Sequence, residues 1–260
     1  MRTVANLLFC GLLVLSLAAQ KTAAQEIRVA AAADLRPALE EIVGRFQAQS
    51  GAKVSISYGS SGNFFQQIQS GAPFDLFFSA NLDYPKKLES ADLTVPGSYY
   101  EYARGKIVLL VQFSSSLDIK QGLKILLDPS VRKIAIADPS HAPYGQAAVA
   151  ALKTENIYDK ISAKLVNGEN ISQAASFVLS GAADVGIASL SLALSPATRA
   201  QVRFWEIPQN DYPPIQQALV VLRSSKNQKL AMQFESYFQT REVKDILERY
   251  GFEVPAASKK

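Results

Sequence analysis

Tyr58-Gly59-Ser60-Ser61-Gly62-Asn63-Phe64-Phe65 is the stretch that decides the fold, because it joins a strand pattern to a helix pattern. Before it, Val54 and Ile56 alternate with polar residues, and after it the apolar spacing continues at Ile68. The first backbone N–H groups of a helix lack an intrahelical partner, and this end of the helix dipole is positive. Two serines and a glycine beside them let an oxygen-rich anion approach, although the same residues also form ordinary helix caps.

The chain repeats this strand-to-helix turn in three other places. The other turns follow the apolar runs 27–33, 133–137 and 164–166, and they lead into helix patterns starting close to residues 35, 144 and 171. Alternating strands and helices predict mostly parallel sheets covered by helices on both faces. Ligands of such sheets bind beyond the carboxyl ends of the strands, where these four turns lie.

Residues 1–24 are expected to be a signal peptide that directs the protein to the periplasm. Arg2 precedes an apolar run from Leu7 to Ala19 that is too short to span a bilayer, and small residues at 22–24 suit cleavage before Gln25. The single cysteine, Cys10, lies inside this segment. The mature chain is therefore expected to rely on core packing rather than on disulfides.

The mature chain is expected to form two lobes, residues 25–104 with 215–260 and residues 105–214. The strongest strand pattern, 106–111, is predicted to pair with the similar run 217–222. The residues between them again alternate between strand and helix, which predicts a second lobe inserted into the first.

A weak internal repeat also favours two lobes of like construction. Segments 67–79 and 177–189 each contain Ser-Gly-Ala, then an aspartate, then an apolar strand that ends in serine. The alternative is that an ordinary helix stop occurs twice by chance.

Charge and motif content favour a binding protein without a cofactor over an enzyme or a nucleic-acid-binding protein. Without Arg2 and Lys21 the chain has 25 basic and 23 acidic residues, a nearly even balance. One histidine and no mature cysteine exclude the His-Glu-x-x-His zinc motif and thiol nucleophiles. That histidine, His141, either contacts a ligand from its proline-bounded loop or packs as an ordinary loop residue. A secreted hydrolase with paired carboxylates stays open, because such pairs have no fixed sequence spacing.

Five motifs occur in order along nearly the whole mature chain: Ala30–Leu35, Gly59–Asn63, Gly71–Ala80, Asp138–Gly145 and Arg249–Phe252. Together they resemble the periplasmic molybdate-binding proteins of ABC transporters. The resemblance implies an α/β, two-lobed periplasmic-binding-protein-like fold of type II with a two-crossing hinge. It also implies a monomer that closes on molybdate or tungstate and delivers it to a membrane permease. Another oxyanion or a small organic anion is the alternative ligand.

The resemblance further implies that hydroxyls and backbone amides, rather than arginine, hold the anion. Carried over by position, the family's second-turn serine falls on Ser61, with Ser60 beside it. Its amide donors fall on Tyr144 and Ile171, and its binding tyrosine falls near Ser189. Such groups bond to oxygens, so Ser61, Tyr144 and Ile171 are expected to hold the metal only as its oxyanion.

The family's first-turn serine falls on Asp34, whose carboxylate would repel a dianion. At about 4 Å and an effective dielectric constant near 20, the repulsion is about 4 kcal/mol per unit charge, enough to erase micromolar binding. We expect Asp34 to cap its own helix by accepting the N–H of Arg36, while the amide of Asp34 or Leu35 faces the ligand. Otherwise Asp34 is protonated and donates a hydrogen bond, or the ligand is not this dianion.

Overall fold

The computed structural model describes residues 26–255, and within this range the strands form two five-stranded sheets. The predicted signal peptide lies outside the described residues. The strands are β1 (Glu26–Ala32), β2 (Lys53–Gly59), β3 (Leu76–Ser79), β4 (Tyr100–Gly105), β5 (Ile107–Gln112), β6 (Ile134–Ala137), β7 (Leu165–Gly168), β8 (Val185–Ser189), β9 (Val202–Glu206) and β10 (Ile215–Val221). Lobe 1 denotes the first sheet, ordered β2-β1-β3-β10-β4, with the elements packed on it; lobe 2 denotes the second, ordered β7-β6-β8-β5-β9.

The two sheets have the same construction. In lobe 1, β1 pairs in parallel with β2 and β3, and β10 runs antiparallel to β3 and β4. In lobe 2, β6 pairs in parallel with β7 and β8, and β5 runs antiparallel to β8 and β9. Four strands of each sheet therefore share one direction, and the fold is the two-lobed α/β arrangement that the sequence predicts.

Helices cover both sheets, each with one apolar face on the core. In the first long helix, the buried residues Ala38, Leu39, Ile42, Val43 and Phe46 follow helical spacing, and Gly51 ends the helix in the left-handed region at φ 69°. The helices are α1 (Arg36–Ser50), α2 (Ser61–Gln69), α3 (Asp83–Ser90), α4 (Pro143–Thr154), α5 (Tyr158–Ile161), α6 (Ile171–Leu179), α7 (Leu190–Leu194), α8 (Gln228–Phe238) and α9 (Arg241–Arg249). Among residues 26–255, no helix is long and apolar enough to cross a membrane.

The internal repeat has a structural counterpart in each lobe. Asp75 and Asp184 lie at equivalent places, just before β3 and β8. The Asp75 carboxylate accepts the N–H of Arg28 in β1 at 2.6 Å, and the Asp184 carboxylate accepts the N–H of Lys133, next to β6, at 2.8 Å. Each aspartate thus ties the start of its strand to the neighbouring parallel strand.

The predicted pairing of 106–111 with 217–222 is wrong. β10 pairs with β3 and β4 in lobe 1, whereas β5 pairs with β8 and β9 in lobe 2. Only Lys106 separates β4 from β5, so the chain changes sheets within one residue. At the second crossing Ile215 begins β10 opposite Gly105, which places the two crossings side by side.

The C-terminal segment packs on lobe 1. The sequence predicts helices over 228–238 and 241–250, with Gly251 just past the second and Phe252 packed behind it. α8 matches the first helix, and α9 ends one residue before the predicted limit of the second. Gly251 adopts φ 80° just beyond α9, and Phe252 is buried, as predicted. The exact lobe boundaries stay a prediction.

Candidate functional site

A small cavity lies between the lobes, where the four strand-to-helix turns meet. It encloses about 200 Å³ of empty space, part of it open to solvent. Its wall consists of Ala32–Asp34, Gly59–Ser61, Ala142–Tyr144 and Asn170–Ile171, together with Ala80. A larger open groove shares Ala80 and Pro143 with it. We assign the site to the smaller cavity because the helix N-termini converge there.

The turn after β2 has the arrangement that its sequence predicts. Ser60 caps α2, since its Oγ accepts the N–H of Asn63 at 3.4 Å. Ser61 is fully buried, and its Oγ accepts the N–H of Ala80 at 2.9 Å. That bond uses only a lone pair, so the hydroxyl hydrogen of Ser61 remains free to donate to a ligand.

Three helices bring first-turn amides to the cavity wall. The N–H groups of Ser61 in α2, Tyr144 in α4 and Ile171 in α6 lie in the first turn, where no intrahelical acceptor exists. Pro143 opens α4, so Tyr144 carries the first amide hydrogen of that helix. Asn170 caps α6 through the two amides that follow Ile171. The cavity therefore meets three amide donors and three positive helix ends.

Asp34 is fully buried in the cavity wall and bonds to side chains of both lobes. Its Oδ2 accepts the Tyr144 hydroxyl at 2.8 Å and Gln217 Nε2 at 2.7 Å. Gln217 Nε2 also donates to the Tyr144 oxygen at 3.0 Å, and Gln217 Oε1 accepts the Tyr102 hydroxyl at 2.7 Å. Among the described residues, the Oδ1 atom of Asp34 is buried without a hydrogen-bond partner. We call these four residues the Asp34 network.

The expectation that Asp34 caps its own helix is wrong. Ala33–Leu35 form a short 3-10 helix that continues directly into α1, and no side chain caps either segment. The N–H of Arg36 bonds to the carbonyl oxygen of Ala33 instead. Because the turn has no vacant cap position, the Asp34 side chain extends inward to Tyr144 and Gln217.

Among the described residues, the cavity wall contains one carboxyl group and no basic side chain. Burial raises the pKa of Asp34 to about 6, and the rise is limited by the hydrogen bonds from Gln217 and Tyr144 and, less strongly, by the backbone N–H groups of Asp34 and Leu35. Burial, with the nearby Asp34 charge, holds the pKa of the Tyr144 and Tyr102 phenols well above its usual value. Within residues 26–255, no group of three or more His, Cys, Asp or Glu side chains is placed to hold a metal ion. An anion here would meet neutral donors and one carboxyl group whose charge depends on pH.

The structure places Ser189 outside the cavity wall. Its Oγ caps α7 by accepting the N–H of Leu192 at 3.4 Å, and it lies 3.0 Å from Ser191 Oγ, to which its hydroxyl can donate. Ser191 in turn lies 2.7 Å from the carbonyl oxygen of Asp34. Ser189 therefore supports the 3-10 helix of the first turn from behind and does not line the cavity.

Further hydrogen bonds hold the lobes together around the cavity. The N–H of Gly62 donates to the carbonyl oxygen of His141 at 2.9 Å, and His141 Nδ1 lies 2.8 Å from Ser60 Oγ. On the other side, the Ser172 hydroxyl donates to the carbonyl oxygen of Ala33 at 3.1 Å. The cleft is thus closed, and His141 contacts a residue of the cavity wall without lining the cavity itself.

Gln217 is the site residue that sequence reasoning missed. It is fully buried within β10, among Ala218, Leu219, Val220 and Val221. A buried amide in such a strand costs free energy unless it is hydrogen-bonded, so its presence within an apolar run is a signal of a polar partner. The identity of that partner depends on the fold.

Comparison with known proteins identifies the family. A model described as bacterial extracellular solute-binding protein matches residues 27–253. The chain belongs to this family. The molybdate-binding protein ModA of Rhodobacter capsulatus is 35% identical over 230 residues, which cover 88% of this chain and 89% of the relative. ModA of Azotobacter vinelandii is 35% identical over 229 residues, with coverage of 88% and 90%.

A solved structure shows the same architecture. The periplasmic molybdate-binding protein of Azotobacter vinelandii matches this fold with a TM-score of 0.84 at 36% sequence identity, covering 88% of this chain and 100% of that one. The resemblance found in the sequence and the two-lobed α/β fold are therefore confirmed. The residues that contact the ligand in this chain stay a prediction.

Proposed function

We propose that this family member is the solute-binding component of an ABC importer and captures molybdate or tungstate between its lobes. The observation that carries the proposal is the convergence of the Ser61, Tyr144 and Ile171 amides, with the Ser61 hydroxyl, on one buried cavity. Neutral donors at helix N-termini suit a tetrahedral dianion whose oxygens all accept hydrogen bonds. The similarity to ModA proteins supports molybdate among such anions.

The remaining parts of the proposal concern the setting of the site. Residues 1–24 direct the chain to the periplasm and are removed, and the mature protein acts as a monomer without a cofactor. It releases the anion to a membrane permease. Nucleic acid is not among its proposed partners. The relatives named above are binding proteins, and no catalytic role is proposed for this chain.

Neither alternative is favoured by an observation of the site. A hydrolase of the paired-carboxylate type needs two carboxyl groups in one cleft, and Asp34 is the one carboxyl group among the lining residues. Another oxyanion would use the same donors, so the choice among tetrahedral anions is left to the binding experiment.

Isothermal titration calorimetry of the chain from Gln25 tests the proposal with molybdate, tungstate, sulfate and phosphate. We expect the first two to bind with submicromolar Kd and the other two to bind at least a hundredfold more weakly. Ser61→Ala should weaken molybdate binding at least tenfold, because a buried donor to the anion is lost. Ser90→Ala, at an exposed helical serine, is the matched control and should leave Kd unchanged. Absence of binding by all four anions would refute the proposed function.

A further inference from the structure

An ionised Asp34 conflicts with a bound dianion, and the geometry of its carboxyl group shows how the conflict is resolved. We propose, on the basis of the function proposed above, that the site binds its dianion together with one proton, held on Asp34 Oδ1 and shared with an anion oxygen. Asp34 then acts as a hydrogen-bond donor that determines which anions fit, rather than as a repelling carboxylate. The proton comes from solvent, forms the Oδ1–H bond, and breaks no other bond in the protein.

The hydrogen bonds of the Asp34 network leave one position for this proton. Oδ2 accepts both the Tyr144 hydroxyl and Gln217 Nε2, so a hydrogen atom on Oδ2 would point at two donors. Gln217 keeps this orientation because its Oε1 accepts from Tyr102. Oδ1 is buried, belongs to a residue that lines the cavity, and forms no hydrogen bond of good geometry among the described residues. The backbone N–H groups of Asp34 and Leu35 lie near the carboxyl group without forming such a bond. A proton on Oδ1 therefore converts an orphaned acceptor into a donor for the ligand.

Within residues 26–255, no neighbouring charge offers another way to offset the carboxylate. The side chains that face it are Tyr144 from α4 and Gln217 from β10, with Tyr102 from β4 behind Gln217, and all three are neutral at pH 7. From α7, Ser191 bonds to the Asp34 backbone. The Arg36 side chain does not offset the carboxylate, because its guanidinium carbon lies 4.2 Å from the ring centroid of Tyr58 and the side chain is 47% exposed.

Without the proton, binding would be severely weakened. Coulomb repulsion at about 4 Å and a dielectric constant near 20 lowers affinity roughly a thousandfold per unit charge of the anion. Protonation of Asp34 in the empty site costs little free energy near neutral pH, because burial raises its pKa to about 6. An adjacent dianion raises it further, because a like charge disfavours the ionised form.

Proton uptake upon binding is measurable without any variant. Molybdate is titrated into the chain from Gln25 at pH 6, 7, 8 and 9, at micromolar concentration, in pairs of buffers with different ionisation enthalpies. We expect about one proton taken up per anion at pH 8, and Kd weakening about tenfold per pH unit between pH 7 and 9. Tungstate should give the same slope.

Two substitutions assign the proton to Asp34. Asp34→Asn presents an amide donor permanently, so its molybdate Kd should not change with pH, its proton uptake should vanish, and at pH 9 it should bind at least tenfold more tightly than the wild type. Asp34→Ser provides a second uncharged donor if the asparagine variant folds poorly. Asp159→Asn, at an exposed aspartate of α5, should retain the wild-type proton uptake and pH slope.

The outcomes separate the two proposals. Binding without proton uptake, or an Asp34→Asn variant that keeps the wild-type slope, would overturn the shared proton and leave the proposed function intact. Failure of the wild type and of both Asp34 variants to bind molybdate or tungstate at any pH would overturn the proposed function and the shared proton together.

Discussion

Replacing Asp34 with asparagine should stabilise the empty protein, and the gain should depend on pH. The folded pKa of Asp34, about 6, lies above its usual value of 3.8, so the folded state holds the proton more tightly than the unfolded state. Ionisation of Asp34 therefore reduces the free energy of unfolding fully above pH 6, and the penalty is lost as the pH falls towards 3.8. Asparagine has no such penalty at any pH.

The size of the effect follows from these two pKa values. A rise from 3.8 to about 6 corresponds to about 3 kcal/mol at pH 8, and roughly half of this remains at pH 5. Asparagine can keep its Oδ1 as the acceptor for Tyr144 and Gln217, but its Nδ2 then lacks a partner, which costs about 1–2 kcal/mol at every pH. We expect a net gain of about 1–2 kcal/mol at pH 8, smaller by about 1.5 kcal/mol at pH 5.

Urea and thermal unfolding of both proteins at pH 8 and pH 5, in buffers free of oxyanions, measure this difference. For a domain of this size, 1.5 kcal/mol corresponds to a Tm difference of about 3–6 °C. Asp159→Asn controls for the loss of one negative charge and should show no such pH dependence. An Asp34→Asn variant whose stability relative to the wild type is the same at both pH values would refute the reasoning.

Three other substitutions probe closure, the buried network and the cap. In Gly62→Ala, the added Cβ would lie 2.6 Å from the carbonyl oxygen of His141 and break their hydrogen bond, so calorimetry should show molybdate binding at least tenfold weaker. Gln217→Leu leaves buried polar groups without partners and should lower the free energy of unfolding in urea by about 3 kcal/mol. Ser60→Ala removes the cap of α2 and should cost about 1 kcal/mol of stability, with a smaller loss of affinity than Ser61→Ala.

Two of the three have a control variant, and Ser60→Ala is compared with Ser61→Ala. Gly44→Ala lies in α1 with nothing within 4 Å of the added Cβ, and it should stabilise by about 0.5–1 kcal/mol without altering affinity. Adding Tyr102→Phe to Gln217→Leu removes one orphaned hydroxyl and should recover part of the loss. Wild-type affinity in Gly62→Ala, full stability in Gln217→Leu, or an affinity loss in Ser60→Ala that equals that of Ser61→Ala would each contradict the corresponding contact.

The local parts of this fold could be predicted because they depend on neighbouring residues. The apolar spacing predicts a helix over 171–179, which has those limits in the structure, and the alternation around Val54 and Ile56 predicts a strand over 53–57, which extends two residues further. Strand alternation and helix caps depend on residues a few positions apart, so the four turns and their convergence could be predicted from the sequence.

Pairing of distant segments could not be predicted in the same way. The run 217–222 pairs in the lobe opposite to 106–111, because apolar content indicates burial but does not select a partner strand. The same limit applies to the site. Asp34 and Gln217 are 183 residues apart in the chain, and their hydrogen bond arises only when β10 lies beside the first turn. Asp34, which the local sequence predicts to be a helix cap, therefore accepts a hydrogen bond from Tyr144 of the other lobe.

The two adjacent crossings form a short hinge between the lobes. Because Lys106 alone joins β4 to β5 and Ile215 is paired with Gly105, an opening rotation pivots at one edge, and displacement grows with distance from it. Gln217 lies two residues from Ile215, so its bond to Tyr144 is close to the crossings. Gly62 follows β2, at the opposite edge of the lobe 1 sheet from β4, so its contact with His141 is further from the crossings. An opening rotation about the crossings would therefore move the Gly62 turn further from lobe 2 than it moves Tyr144 from Gln217.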